Sequence, residues 1–325
     1  MALSRAFAEA HIARWQAALA QQAYPYRTRW PSHLFHHAPL ENARLILESG
    51  RILSRYGSEN VRALDVAAPG VIDARDHAHD RVRFYFRPRT PTQFHIEGVR
   101  KPADCKYDRQ APVLVMFVID ALSVLTMDGT TFSDKNMQLG GAVAADDEAS
   151  FAAIPFDKVF HVGAFQDASI KDHRCAEVMT RSPLPLEPHL KRICCRSEAE
   201  RDTLLNSVDW RVRNHWRNRI TVSDDLQVFD KKFVFVQDVK VSSEGVTARF
   251  NPRSDRADVE IAVHVANQEG RVFLDRTYPS MQPVPPNGMG WIFKADLPDD
   301  VYTVAIRLEG HLAYENVHLV GELIF

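Results

Sequence analysis

The sequence predicts an α+β chain: a mixed α/β half over residues 1–219, then an all-β, immunoglobulin-like sandwich over residues 220–325. Before residue 220, helix-like apolar spacing alternates with short strand-like runs. After it only strand-like runs remain, about seven in roughly 100 residues, alternating with period two and divided by Gly, Pro, Asp and Ser. Charge divides at the same place. Residues 1–219 hold 30 Lys and Arg against 26 Asp and Glu, whereas residues 220–325 hold 10 against 16. A chain of 325 residues also exceeds one ordinary domain and suits two.

In chain order, residues 3–22 place Leu3, Phe7, Ala10, Ala17 and Leu19 near helical spacing, with Arg5, Glu9 and Arg14 among them. The N-terminus therefore reads as an amphipathic helix and not as a secretory signal. Residues 40–49 form a second helix, ended by Gly50 where a left-handed backbone is needed. Segment 56–80 is polar, holds Pro69, Gly70, Asp73, Asp76, His77, His79 and Asp80, and reads as a long loop. Strand-like runs follow at 82–86, 113–119 and 158–162, with a mixed segment at 176–180. Ser197 and Glu200 form a capping box opening a helix to about residue 208. The later strand runs are 228–241, 246–250, 257–266, 271–278, 290–297, 301–308 and 317–325, and Pro283, Pro285 and Pro286 make one stiff loop.

Composition removes several classes. Hydrophobic residues at 45% and charged residues at 25% argue against disorder and coiled coil. No stretch approaches the roughly 18 uninterrupted apolar residues of a membrane span. Cys105, Cys175, Cys194 and Cys195 form no CxxC pair, which disfavours a zinc ribbon or a disulfide scaffold and, with no export signal, points to the cytosol. His33, His36 and His37 lack an accompanying Cys or Asp cluster, and His77 and His79 sit in an acidic stretch, so no metal is expected. Gly140 and Gly141 belong to no GxGxxG motif, which disfavours a Rossmann dehydrogenase.

Two segments concentrate arginine with aromatic residues. In residues 81–91, RVRFYFRPRTP, Arg81, Arg83, Arg87 and Arg89 flank an aromatic strand that Pro88 ends. Guanidinium forks at a strand end suit a diphosphate or a nucleic-acid backbone, although an edge strand with solvated arginines has the same composition. In residues 209–219, Trp210, Arg211, Arg213, Trp216, Arg217 and Arg219 supply the stacking and phosphate neutralisation that single-stranded nucleic acid requires. A linker whose tryptophans pack on both domains would look the same.

Taken together, four motifs resemble the DarT family of DNA ADP-ribosyltransferases, toxins of bacterial toxin–antitoxin and phage-defence systems. They are His37 ahead of the helix LENARLILESG, FYFRPRTP at 84–91, FSDKN at 132–136 and CAEVM at 175–179. Their order and spacing agree over about residues 30–200, and FYFxPRxP is the most specific of them. The resemblance implies an ADP-ribosyltransferase fold in which His37, Arg89 and Glu177 meet in one NAD cleft. Glu177 would stabilise the oxocarbenium-like state and assist deprotonation of the nucleophile. Arg89 would anchor the NAD phosphates and hold the substrate in line. His37 would position NAD without needing a charge, and Asp134 and Asn136 would contact NAD or substrate.

The implied target is a base on a single strand of DNA or RNA, held by Arg81, Arg83, Arg87, Trp210, Arg211, Arg213, Trp216 and Arg217. The acidic sandwich lies outside the resemblance and suits a protein partner, an antitoxin of macrodomain or chaperone-like type. The rival readings are an NAD glycohydrolase or protein ADP-ribosyltransferase, and a non-catalytic binding protein acting through the sandwich. Three departures stand out: segment 56–80 is longer than the family's connection, CAEVM replaces QAEFL, and FSDKNMQ lacks small residues after its Asn.

Overall fold

The computed structural model describes residues 2–58, 79–105, 110–137, 139, 141–252, 257–285, 288 and 290–321. Most of the expected long loop, with His77, lies outside the described residues, as do Gly140 and Pro286. The chain divides into two compact units. One comprises residues 1–94, 116–194 and 223–229, the other residues 95–115, 195–222 and 230–325. Segments from before residue 219 thus belong to the unit that holds the C-terminal sheets.

The first unit opens with α1 (Arg5–Ala20), capped by Ser4, whose hydroxyl accepts from the Phe7 amide. Strand β1 (His33–Pro39) runs directly into α2 (Leu40–Ser49). Pro39 presets the backbone ahead of the first turn, and Gly50 ends the helix at φ 64°. β1 shares its sheet with β2 (Arg81–Tyr85), β3 (Leu114–Asp120), β4 (Thr131–Ser133), β5 (Glu177–Arg181) and β6 (Leu190–Cys195), while Arg51–Ile52 and Leu184–Pro185 pair separately. These six follow one another in the order β4-β5-β2-β1-β3-β6 within a seven-stranded sheet. The apolar run of β3 is buried throughout from Leu114 to Ile119, as befits a strand with both faces covered. On β2 only alternate residues are fully buried: Val82 and Phe84 point into the core, while Arg81, Arg83 and Tyr85 share the other face.

The run at 158–162 is not a strand. Pro155 precedes a helical turn, Phe156–Val159. Phe156 and Phe160, four residues apart, stack with centroids 5.6 Å apart, and Trp15 of α1 closes on Phe160 at 5.8 Å. Helical spacing of aromatic residues, not strand alternation, is what this segment buries.

In the second unit, α3 (Glu198–Asn206) begins at Ser197, whose hydroxyl accepts from the Glu200 amide at 3.2 Å. A shorter helix, α4 (Trp210–Trp216), is capped by Asp209. Seven strands build its two sheets: β7 (Val236–Ser242), β8 (Gly245–Phe250), β9 (Val259–Asn267), β10 (Val272–Met281), β11 (Trp291–Lys294), β12 (Asp300–Leu308) and β13 (His311–Val320). They form a three-stranded sheet, β7-β8-β11, and a four-stranded sheet, β10-β9-β12-β13, with antiparallel neighbours. Strict alternation along β9 sends Val259, Ile261, Val263 and Val265 inward. These meet Val236, Ala248 and Phe293 of the other sheet and Tyr302, Val304 and Ile306 of β12 in one apolar core. Gly245 turns β7 into β8 at φ 127°, where a Cβ would collide with the Phe293 carbonyl oxygen. The last strand begins earlier than the 317–325 run suggested, at His311, and residues 322–325 lie outside the described residues.

Candidate active site

The chemistry-bearing face of the first unit is set by strand register. Tyr85 lies opposite Glu177, Arg83 opposite Met179, and Ser133 opposite Glu177 on the far side. Directly opposed residues of antiparallel strands point to the same face, so Ser133, Glu177, Tyr85 and Arg83 share one surface. The neighbouring strand adds Phe35 opposite Tyr85. Two residues on, the His37 ring stacks parallel to Tyr85, with centroids 5.7 Å apart. His36 faces away, toward Phe84 and Phe117, its Nδ1 3.0 Å from the Arg83 carbonyl.

Glu177 is 1% exposed. Its Oε2 accepts one hydrogen bond, from the Met137 amide at 3.1 Å, while Oε1 is buried with no donor in hydrogen-bond geometry. Burial pushes the carboxyl above the ordinary glutamate range, and Arg83, the Met137 amide and Tyr85 pull it back. Tyr85 is driven upward by burial and by Glu177. Its oxygen accepts from Thr92 Oγ1 at 3.1 Å, which leaves the phenol proton free to donate. Burial, helped by His36, depresses His37 to about 3, so its imidazole is neutral at physiological pH. The arrangement can take a proton from, or stabilise positive charge on, a group placed against Glu177.

The loop after β4 reaches the carboxylate through its backbone. Ser133 Oγ donates to the Lys135 carbonyl at 2.7 Å, and the next turn presents the Met137 amide. Asp134 is half-buried, its carbonyl 2.8 Å from His173 Nδ1, which ties the loop to the segment just before Glu177. Asn136 is buried. Met137, Ala142 and Met179 pack into a small apolar cluster beside these groups.

Arg89 sits beyond the end of β2 at φ 54°, a left-handed conformation costing a non-glycine residue roughly 1–3 kcal/mol. The strain is held by Gln93, whose Oε1 accepts from the Arg89 amide at 2.8 Å and whose Nε2 donates to the Val228 carbonyl at 2.8 Å. The guanidinium lies over the rings of Tyr26 (5.2 Å) and Trp30 (5.7 Å) and donates to the Tyr26 hydroxyl at 2.7 Å, yet its buried Nε has no acceptor.

Not every expected arginine faces a ligand. Arg87 is 3% exposed, and its guanidinium donates to the carbonyls of Pro88, Val159 and His161. Expected to meet nucleic acid, it instead stitches the strand end to the helical turn at 156–159. Arg81 is half-buried and donates to the Gly129 carbonyl at 2.6 Å. In α4, Trp216 is 4% exposed and therefore offers no free face for a base, whereas Trp210 is 66% exposed with Arg211 over its ring at 5.4 Å. Arg217 is exposed, and Arg213 spends Nε on the Leu205 carbonyl. Sequence reasoning missed Tyr85, Gln93 and the Met137 amide. For Tyr85 the signal was present, since strand alternation puts it on the face of Arg83. For Gln93, on the short helix Pro91–Ile96, and for Met137, in the loop after β4, there was none, because strand periodicity reaches neither. Among the described residues no group of three or more His, Cys, Asp or Glu is arranged to hold a metal, and no helix is long and apolar enough to cross a membrane.

A family model described as ssDNA thymidine ADP-ribosyltransferase, DarT, matches residues 35–227. Similar solved structures include Thermus sp. 2.9 DarT in complex with ADP-ribosylated ssDNA, 18% identical, covering 60% of this chain and 96% of that one, with a TM-score of 0.49. The same protein in complex with NAD+ is 17% identical, covers 60% and 97%, and has a TM-score of 0.47. Thermosipho africanus DarTG in complex with ADP-ribose is 16% identical, covers 66% and 55%, and has a TM-score of 0.44. No curated protein matches the chain.

Proposed function

The chain belongs to the DarT family of NAD-dependent ssDNA thymidine ADP-ribosyltransferases, and from that membership we propose that Glu177, Arg89 and His37 divide the work of transfer to thymidine in single-stranded DNA. The observation that carries this reading is the buried Glu177 carboxylate with one oxygen unpartnered, opposite Tyr85, on whose ring a neutral imidazole stacks. Arg89, with an orphaned Nε, suits the NAD diphosphate. His37, stacked on Tyr85, suits a ribose or amide group that needs a hydrogen bond and no charge. In the transfer, the bond between the ribose anomeric carbon and the nicotinamide nitrogen breaks, and its electron pair leaves with neutral nicotinamide. A base nitrogen bonds to the same carbon, and its proton passes to Glu177 and on to solvent. Glu177 stabilises the positive charge on the ribose between these events. Asp134 and Asn136 serve the same cleft by shaping the loop that delivers the Met137 amide.

Trp210, Arg211 and Arg217 form a stacking and phosphate-neutralising surface for the strand. In the second unit, two antiparallel sheets over one core, with β8 pairing to β11 and β9 to β12 across intervening strands, support an immunoglobulin-like sandwich. Its acidic balance repels phosphate and fits a protein partner, an antitoxin that restrains a toxin of a toxin–antitoxin or phage-defence system.

The test is incubation with NAD and, separately, thymine-containing ssDNA, RNA and protein, read by intact mass. An ADP-ribose adduct is expected on the ssDNA, and Glu177→Gln should lower its rate about 10²- to 10⁴-fold. Adducts on RNA or protein alone, or nicotinamide release unaffected by any macromolecule, would replace this reading by one of its rivals.

A further inference from the structure

Arg83 was expected to meet a nucleic-acid backbone, but the register puts it beside the reacting carboxylate. It lies one antiparallel pair from Glu177 on the same face: Arg83 faces Met179 and Tyr85 faces Glu177. Such diagonal neighbours lie within reach of long side chains. Two buried polar atoms on this face have no partner, Arg83 Nε and Glu177 Oε1. Among the described residues Arg83 forms no ion pair within 4 Å, although it acts electrostatically on Glu177. A buried donor and a buried acceptor left open side by side each cost desolvation energy, and a ligand offering the complementary pair removes both costs at once.

We propose that Arg83 donates to a carbonyl of the target base while Glu177 accepts the adjoining ring N–H, so that the two side chains select thymine over cytosine by its imide edge. This rests on the transfer reading above and names its specificity device. Thymine in a nucleoside presents one ring N–H between two carbonyls, the alternation that a guanidinium next to a carboxylate matches. Cytosine presents a ring-nitrogen lone pair next to an amino group. That puts lone pair against carboxylate and N–H against guanidinium, and leaves both protein groups unsatisfied. Sites built on such hydrogen bonds discriminate far more strongly than apolar pockets do. The contact belongs to the base and not to a phosphate, because a group within reach of both Arg83 and Glu177 lies at the reacting carbon. The apolar cluster of Met137, Ala142 and Met179 offers a surface for the flat ring.

The experiment compares wild type, Arg83→Met and Arg83→Lys on ssDNA carrying a single thymine. Transfer is followed by intact mass and NAD hydrolysis without DNA by nicotinamide release, with folding checked by Tm. Arg83→Met should lower kcat/KM for transfer about 10- to 100-fold more than it lowers hydrolysis, the discrimination of one good base contact. Arg83→Lys, which keeps a single-point donor, should recover part of the loss. Transfer and hydrolysis falling in parallel would assign Arg83 to NAD and overturn the proposal, as would transfer unchanged in Arg83→Met. Wild type leaving the thymine oligonucleotide unmodified would overturn the transfer reading itself, a distinguishable result.

Discussion

Two buried glutamates, one in each unit, are equally hidden and oppositely bonded. Glu200, on α3, accepts from the Arg196 amide at 3.0 Å and from its Nε at 2.8 Å, and is further paired to Nη2 of the same arginine. Glu177 accepts one amide and keeps Oε1 open. Burial raises both carboxyls above the ordinary range. Burial alone therefore says nothing about role. A carboxylate whose lone pairs are all engaged holds a structure together, whereas one left partly open at a cost in stability is available to a ligand. The same contrast separates Arg87, spent on backbone carbonyls, from Arg83 and Arg89, each with an unpartnered buried Nε.

The largest expected effect tests that contrast directly. Glu200→Gln leaves Arg196 buried without its counter-charge and should cost about 3–5 kcal/mol in urea unfolding. Glu177→Gln should leave the unfolding midpoint unchanged or raise it while removing transfer activity. Equal destabilisation by both substitutions would break the comparison.

A smaller effect is expected at Gln93, which joins the strained Arg89 amide to Val228. Gln93→Leu leaves the Arg89 N–H without its acceptor and should cost about 1–3 kcal/mol. It should also raise the KM for NAD more than it lowers kcat, since it loosens the phosphate-anchoring residue and not the base. A fall in kcat alone would place Arg89 in the chemical step and not in NAD binding.

The smallest effects are in pH dependence, and the two groups run in opposite directions. Glu177 holds its proton more tightly when folded, so its contribution to stability is present below the ordinary glutamate value and is lost as pH rises through the raised one. Transfer, which needs the anion, should rise over the same interval. His37 is depressed from 6.5 to about 3, so its contribution is present above 6.5 and is lost as pH falls toward 3. Unfolding free energies of wild type, Glu177→Gln and His37→Phe across pH 3–8 would show slopes of opposite sign. Slopes of the same sign would mean that one of the two groups is not buried as described.

Much of this was legible where chain periodicity dictates position. Alternation in RVRFY separates Val82 and Phe84 from Arg81, Arg83 and Tyr85, and Gly50 and Ser197 mark helix ends through their own chemistry. Legibility failed past strand ends and on helices too short to define a face. Arg87 lies just past the strand, where alternation no longer fixes direction, and Trp216 is turned inward while Trp210, at the other end of the same helix, is left outside. The aromatic run at 156–160 shows the remaining weakness, since a short apolar segment satisfies either period until its neighbours choose.

The pairing of Arg81–Tyr85 with Glu177–Arg181 also constrains how this protein can change over evolutionary time. Deleting one residue within either strand would send Val178 or Phe84 to the ligand side and drive a guanidinium or a carboxylate among Phe117 and its neighbours. Length changes are therefore forbidden inside these two five-residue segments and tolerable in the connections between them. Lineages carrying this chemistry should differ freely in loop length while keeping that one alignment fixed.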